Sequence, residues 1–272
     1  MFKRKINITK INKDEKNKIE DVVLVESPVD LYVNSEALVN IICLPKDLRE
    51  LSVGFLFSIG LIESIKDIKD IKISDSYTDV FIELQDSANF DINALNMNPV
   101  GRVVDTSCGI PSPWRNIIKD RLDKAKVKDE LWSDDKIKIE SKMIFSAIKK
   151  MQLATPLYRE TGGCHGAAIF DLAGTLLSVK EDIGRHNAID KVIGDLLIQK
   201  HSFENVFLTS TGRLTSDSVL KAIRAKIPIL ASFSAAIESG IKLAFAYGIT
   251  LIGFARGGRM NIYTHPERIL IS

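Results

Sequence analysis

The chain is 272 residues long and holds only three cysteines, Cys43, Cys108 and Cys164. An odd number spread this widely makes no disulfide framework, and a reducing cytoplasm is the simplest home for it. No apolar run approaches the roughly 20 residues needed to span a bilayer. No signal-peptide core follows the basic start Met1-Phe2-Lys3-Arg4-Lys5. The net charge of +2 is too small to argue for nucleic acid. There is no C-x-x-C pair, which leaves a thiolate zinc site unsupported. A zinc nucleobase deaminase needs H-x-E with a later P-C-x-x-C, but here Gly166 and Ala167 follow His165. The P-loop signature and the G-x-S-x-G nucleophile elbow are also missing, as are internal repeats and low-complexity tracts.

What remains is an ordinary globular composition, long enough for one large domain or two smaller ones. Residues 1–135 read as a smaller α+β region. Within it, 1–21 is an edge strand or a loose tail, and 22–25 is a strand. A hairpin turns at Asn34-Ser35, and its second arm from Ala37 to Leu44 is apolar enough to supply an interface. Pro45-Lys46-Asp47 opens a helix with Leu48, Leu51, Phe55 and Ile59 on one face, and Gly60 closes it. Strands follow at 71–73 and 80–84. Residues 85–135 are an irregular connection with a charged helical run at 115–128.

Residues 136–272 alternate between periods. Helices are predicted at 141–152, 187–199, 216–226 and 235–247. Strands are predicted at 167–171, 175–179, 206–210, 227–231 and 250–254. This order argues a three-layer α/β domain with a largely parallel sheet.

Two features carry chemistry. Cys108 sits in Thr106-Ser107-Cys108-Gly109-Ile110-Pro111-Ser112-Pro113, a loop that Gly and Pro keep from regular structure. Such a thiol is placed to be exposed and to visit two partners. It can equally be a small apolar residue in a turn. Cys43 falls in an apolar strand and reads as buried and inert, and Cys164 reads as a small buried residue.

The second feature is a rim. In an open α/β sheet, ligands bind beyond the carboxyl ends of the strands. There the sequence places Lys180 to Asn187, Thr211-Gly212-Arg213, Ser232-Phe233-Ser234 and Ala255-Arg256-Gly257-Gly258-Arg259. Arg185, Arg213, Arg256 and Arg259 with their glycines suit phosphates of a nucleotide-like ligand, although a solvated rim of salt bridges uses the same residues. His186, at a helix start, suits a cap or ion pair as well as ligand contact or proton transfer. The glycines around His165 suggest close backbone approach. His201 and His265 read as surface residues.

The segments Gly162-Gly163-Cys164-His165-Gly166-Ala167-Ala168, Glu181-Asp182-Ile183-Gly184-Arg185-His186-Asn187-Ala188-Ile189-Asp190-Lys191 and Gly253-Phe254-Ala255-Arg256, with Met260-Asn261-Ile262-Tyr263, resemble the FdhD/NarQ family of formate dehydrogenase accessory sulfurtransferases. Glu26-Ser27-Pro28, Leu51-x-x-Gly54-Phe55-Leu56 and Ser107-Cys108-Gly109 extend the resemblance over nearly the whole chain. It implies a cytidine-deaminase-like C-terminal domain without the zinc chemistry. It also implies a sulfurtransferase in the cytoplasm, often dimeric and with no resident metal. Such a protein accepts sulfur from a cysteine desulfurase as a persulfide, which maps onto Cys108. It passes that sulfur to the molybdenum or tungsten bis(guanine dinucleotide) cofactor of the formate dehydrogenase catalytic subunit. The cofactor-binding segment maps onto Phe254, Ala255, Arg256, Gly257, Gly258 and Arg259. His165, Asp182, Gly184, Arg185, His186, Asn187 and Arg213 complete the candidate cofactor-binding set. Two departures stand out. Pro111 occupies the place of the second cysteine of the family's Cys-Gly-x-Cys, and Ala236-Ile237 replaces Pro-Thr. The first favours an alternative, a maturation chaperone that binds the cofactor and formate dehydrogenase without moving sulfur.

Overall fold

The computed structural model describes residues 2–86, 103, 104, 110, 112–124, 127 and 137–271. Cys108 and Pro111 lie outside the described residues.

Residues 3–21 are not a loose tail but lie in a two-stranded sheet of their own. Strands β1 (Lys3–Asn12) and β2 (Glu15–Leu24) pair with each other alone as a long antiparallel ribbon. Strands β3 (Ser27–Val33) and β4 (Glu36–Cys43) form the expected hairpin, in which Asn34 and Ser35 both take positive φ, as a two-residue primed turn requires. With β5 (Ile68–Ile73), β6 (Asp79–Leu84) and β7 (Val103–Val104) they make a five-stranded sheet in the order β5-β6-β3-β4-β7. Strand β7 runs parallel to β4, with Val104 opposite Ile41. Leu38, Val39, Ile41 and Cys43 of β4 are buried within the chain, so this hairpin arm is core and not the interface its apolar pattern suggested.

Helix α1 (Leu48–Ser58) covers this sheet through Leu48, Leu51 and Phe55. Helix α2 (Ser112–Lys124) places the buried Trp114 ring 6.1 Å from that of Phe55. Then come β8 (Ile139–Glu140), α3 (Ser141–Leu153) and a short helix α4 (Pro156–Thr161) that the sequence pattern did not mark. The second half continues as β9 (His165–Asp171), β10 (Leu176–Asp182), α5 (Arg185–Ile198), β11 (Val206–Ser210), α6 (Ser216–Arg224), β12 (Ile229–Ser232), α7 (Glu238–Tyr247), β13 (Thr250–Arg256) and β14 (Arg259–Thr264). A last strand, β15 (Ile269–Leu270), pairs with β8.

The second sheet has the order β10-β9-β11-β12-β13-β14 and is mixed, where a largely parallel one was expected. Only β11/β12 and β12/β13 are parallel. The reason is connection length. A parallel neighbour needs a long crossover, whereas the turn at Gly174 (φ 79°) and the Gly257-Gly258 turn (φ 59° and 77°) send the chain straight back. Alternate residues of β9 divide between the faces. Ala168 and Phe170 pack with Ile144, Ile148 and Met151 of α3, while Ala167 and Ile169 pack with α5 and α6. The latter core continues through α1 to the five-stranded sheet. Helices α1 and α5 cross backbone to backbone: a Cβ on Gly54 would lie 1.8 Å from the Asp190 carbonyl oxygen, and one on Gly194 would lie 1.9 Å from that of Glu50.

Two boundaries move for identifiable reasons. Helix α7 starts at Glu238 because Ala235 to Ile237 run extended against Leu214, which donates to the Ala235 carbonyl and accepts from Ile237 N–H. Lys180, Glu181 and Asp182 belong to β10, where Asp182 pairs with His165. No helix among the described residues is long and apolar enough to cross a membrane.

Candidate functional site

Strand β9 runs antiparallel to both of its neighbours. Strands β10, β11, β12 and β13 therefore point the same way, and their carboxyl ends share one edge with the start of β9. The mixed sheet thus builds the rim expected of a parallel one and adds His165 to it.

At the rim, His165 Nδ1 lies 3.1 Å from Thr211 Oγ1, which also accepts the Gly166 N–H at 3.1 Å. Burial, and then the Arg185 and Arg213 charges, hold its pKa below that of an ordinary histidine. His186 is buried, with Nδ1 3.5 Å from Ser218 Oγ. Its Nε2 has no hydrogen-bond partner among the described residues. Burial, followed by the Lys221, Arg185 and Arg115 charges, pushes its pKa well below the usual value. It is a neutral imidazole at neutral pH.

Arg185 lies across Gly212, where a Cβ would come 2.6 Å from the Arg185 Cβ, so only glycine admits this arginine. Arg213 is exposed. The Arg256 guanidinium stacks 4.8 Å over the Phe233 ring and 6.0 Å from that of Phe254. Phe254 has φ 52° and donates its N–H to the Ser234 carbonyl, a kink that aims the turn outward. Ala255 faces the core, while Gly257, Gly258 and Arg259 are exposed with open space around the glycines. Arg185 and Arg213 are thus near the two histidines, while Arg256 and Arg259 line a separate part of the rim.

The long Asp182–Lys191 run faces inward more than outward. Asp182 is fully buried; Oδ2 pairs with Lys191 Nζ at 2.6 Å and accepts the Leu44 N–H at 3.1 Å. Its Oδ1 accepts from Gly184 N–H at 2.8 Å and from Asn187 Nδ2 at 3.0 Å. Asn187 Nδ2 also donates to the Ile42 carbonyl, and Lys191 to that of Leu44. Gly184 leaves room for this, since a Cβ there would sit 2.9 Å from Asn187 Nδ2. Asp190 is gripped by Lys221 Nζ at 2.6 Å and by Ser58 Oγ at 2.6 Å. Burial raises its carboxyl pKa. The bonds to Ile42 and Leu44 hold the end of β4, the strand that pairs with β7. Lys221 and Ser58 gave no signal in the sequence.

The other thiols are closed off. Cys43 is buried, and burial drives its pKa up. Cys164 is buried beside Glu181, its Sγ 3.8 Å from Oε1, and burial with that carboxylate pushes its pKa up to about 12. His201 is exposed as expected. His265 is not a surface residue: it is buried against Phe245, with Nε2 3.1 Å from the Phe245 carbonyl oxygen.

Comparison with known proteins agrees with this architecture. The chain is 35% identical over 268 residues to the sulfur carrier protein FdhD of Sulfolobus acidocaldarius, covering 98% of each chain. It is 34% identical over 263 residues to the protein of the same name from Bacillus subtilis, covering 97% of this chain and 96% of that one. A crystal structure of a formate dehydrogenase accessory protein from Desulfotalea psychrophila superimposes with a TM-score of 0.74 at 27% identity, over 99% of this chain and 100% of that one. The model of the FdhD/NarQ family matches residues 24–270. The chain belongs to the FdhD/NarQ family.

Proposed function

We propose that this chain is a cytoplasmic sulfur carrier for formate dehydrogenase, built from an N-terminal α+β region (1–135) and a cytidine-deaminase-like region (136–272). The observation that carries the reading is the state of the cysteines. Cys43 and Cys164 are buried with raised pKa values, which leaves Cys108 as the thiol for exchange. The Cys108 thiolate attacks the outer sulfur of a desulfurase cysteine persulfide. The S–S bond of that persulfide breaks, its cysteine leaves as a thiolate, and a new S–S bond forms on Cys108. The client is the molybdenum or tungsten bis(guanine dinucleotide) cofactor, whose phosphates suit Arg185, Arg213, Arg256 and Arg259.

Pro111, in place of a second loop cysteine, favours a second reading in which the chain is a chaperone for the cofactor and moves no sulfur. A Cys108→Ala variant separates the two. The carrier reading expects loss of formate dehydrogenase maturation with GDP binding retained. Full maturation by the variant leaves only the chaperone.

A further inference from the structure

Asp217 lies in the first turn of α6, next to Ser218 and four residues after Arg213, and its carboxylate is almost fully buried. Two residues from another part of the chain converge on it. The Ile110 N–H reaches Oδ2 at 3.3 Å. The Arg115 guanidinium approaches both oxygens, Nη2 to Oδ2 at 2.9 Å and Nε to Oδ1 at 2.6 Å. Ile110 itself is wholly buried, and one turn into α2 Trp114 packs on Phe55. A carboxylate at a helix N-terminus sits where the helix dipole favours negative charge. Arg115 neutralises it there, and the carboxylate Oδ2 also accepts from the backbone two residues beyond Cys108. Helix α6 is also anchored in the core by Val219, Leu220 and Ile223.

We propose that Asp217 is a positioning residue for sulfur delivery: with Arg115 it clamps the chain just after Cys108 onto the part of the rim that carries Arg213 and His186. This rests on the carrier reading above. Loading asks only that the thiol be reachable by the desulfurase. Delivery asks that it face the rim where the client binds, and small misplacements of a reacting group are costly. The clamp therefore acts on the second step and not on the first.

The test uses the full chain as wild type, Asp217→Ala and Asp217→Asn. Each is loaded with sulfur by a cysteine desulfurase and cysteine, weighed by intact mass, and then titrated into sulfur-free formate dehydrogenase. Asp217→Asn keeps one acceptor oxygen for the Ile110 N–H and replaces the other, with the charge that faces Arg115, by an NH2 donor. We expect both variants to load as wild type does. The saturating transfer rate should fall about ten- to hundredfold in Asp217→Ala. It should be partly restored in Asp217→Asn, with the half-saturating carrier concentration unchanged in both. Wild-type transfer rates in loaded variants would overturn the clamp and leave the carrier reading standing. A wild-type chain that takes up no sulfur would overturn both. If Asp217→Ala does not fold, Arg115→Met, on a side chain 38% exposed, carries the same test with Asp217 left in place.

Discussion

Asp182 and Lys191 meet at 2.6 Å with neither side chain exposed to solvent. The pair does more than neutralise itself. Through the Leu44 N–H and the Leu44 carbonyl it bonds both polar groups of one residue at the end of β4. A buried ion pair is weak evidence for net stability, but removing one partner strands the other charge. Lys191→Met should therefore cost about 3–5 kcal/mol in urea unfolding. An unchanged midpoint would mean that the carboxylate finds another partner.

The α1–α5 crossing leaves no volume for a methyl group. In Gly54→Ala the new Cβ would collide with the backbone of Asp190, which cannot move aside as a side chain could. A destabilisation of about 3 kcal/mol or more is expected, visible as lost soluble yield or a lowered melting temperature. A variant as stable as wild type would show that the two helices separate easily.

His186 makes stability depend on pH. Its folded pKa is depressed below the unfolded value, so the unfolded chain binds the proton more readily. Stability is complete above about pH 6.5 and falls as the pH drops below it, by at most roughly 1.4 kcal/mol per pH unit for this one proton. Urea titrations from pH 7.5 down to 5.5 should show this slope in wild type and a shallower one in His186→Gln. Equal slopes would remove His186 from the account.

Thiol reactivity follows burial. Iodoacetamide on the native chain should modify Cys108 and spare Cys43 and Cys164, whereas in urea all of them should react. Native labelling of Cys164 would contradict the enclosure beside Glu181.

Much of this was legible in the sequence. The Asn34-Ser35 turn and the α1 stripe rest on local rules and appear where those rules place them. The strand–helix alternation after residue 140 holds in order, but its ends shift and the pattern marked neither the short helix α4 nor strand β14. The convergence of loops on one edge also held, although through a β9 that runs backwards and not through a parallel sheet. What was illegible depends on partners remote in the chain. Asp182 and Asn187 read as polar rim residues because nothing local shows that the Ile42 and Leu44 backbone groups will claim them. Backbone groups leave no mark in a sequence. His265 misleads for the same reason, since its polar neighbours hide that Phe245 will cover it. The ribbon of β1 and β2 was not foreseen because its charged, Ile-spaced pattern suits an edge strand or a loose tail as well as a hairpin.

The most direct test of the central claim is intact mass after incubation with a cysteine desulfurase and cysteine, for wild type beside Cys108→Ala. The carrier account predicts one added sulfur atom in wild type, removable by reductant, and none in the variant. No added sulfur in a wild-type chain that still binds GDP would contradict it.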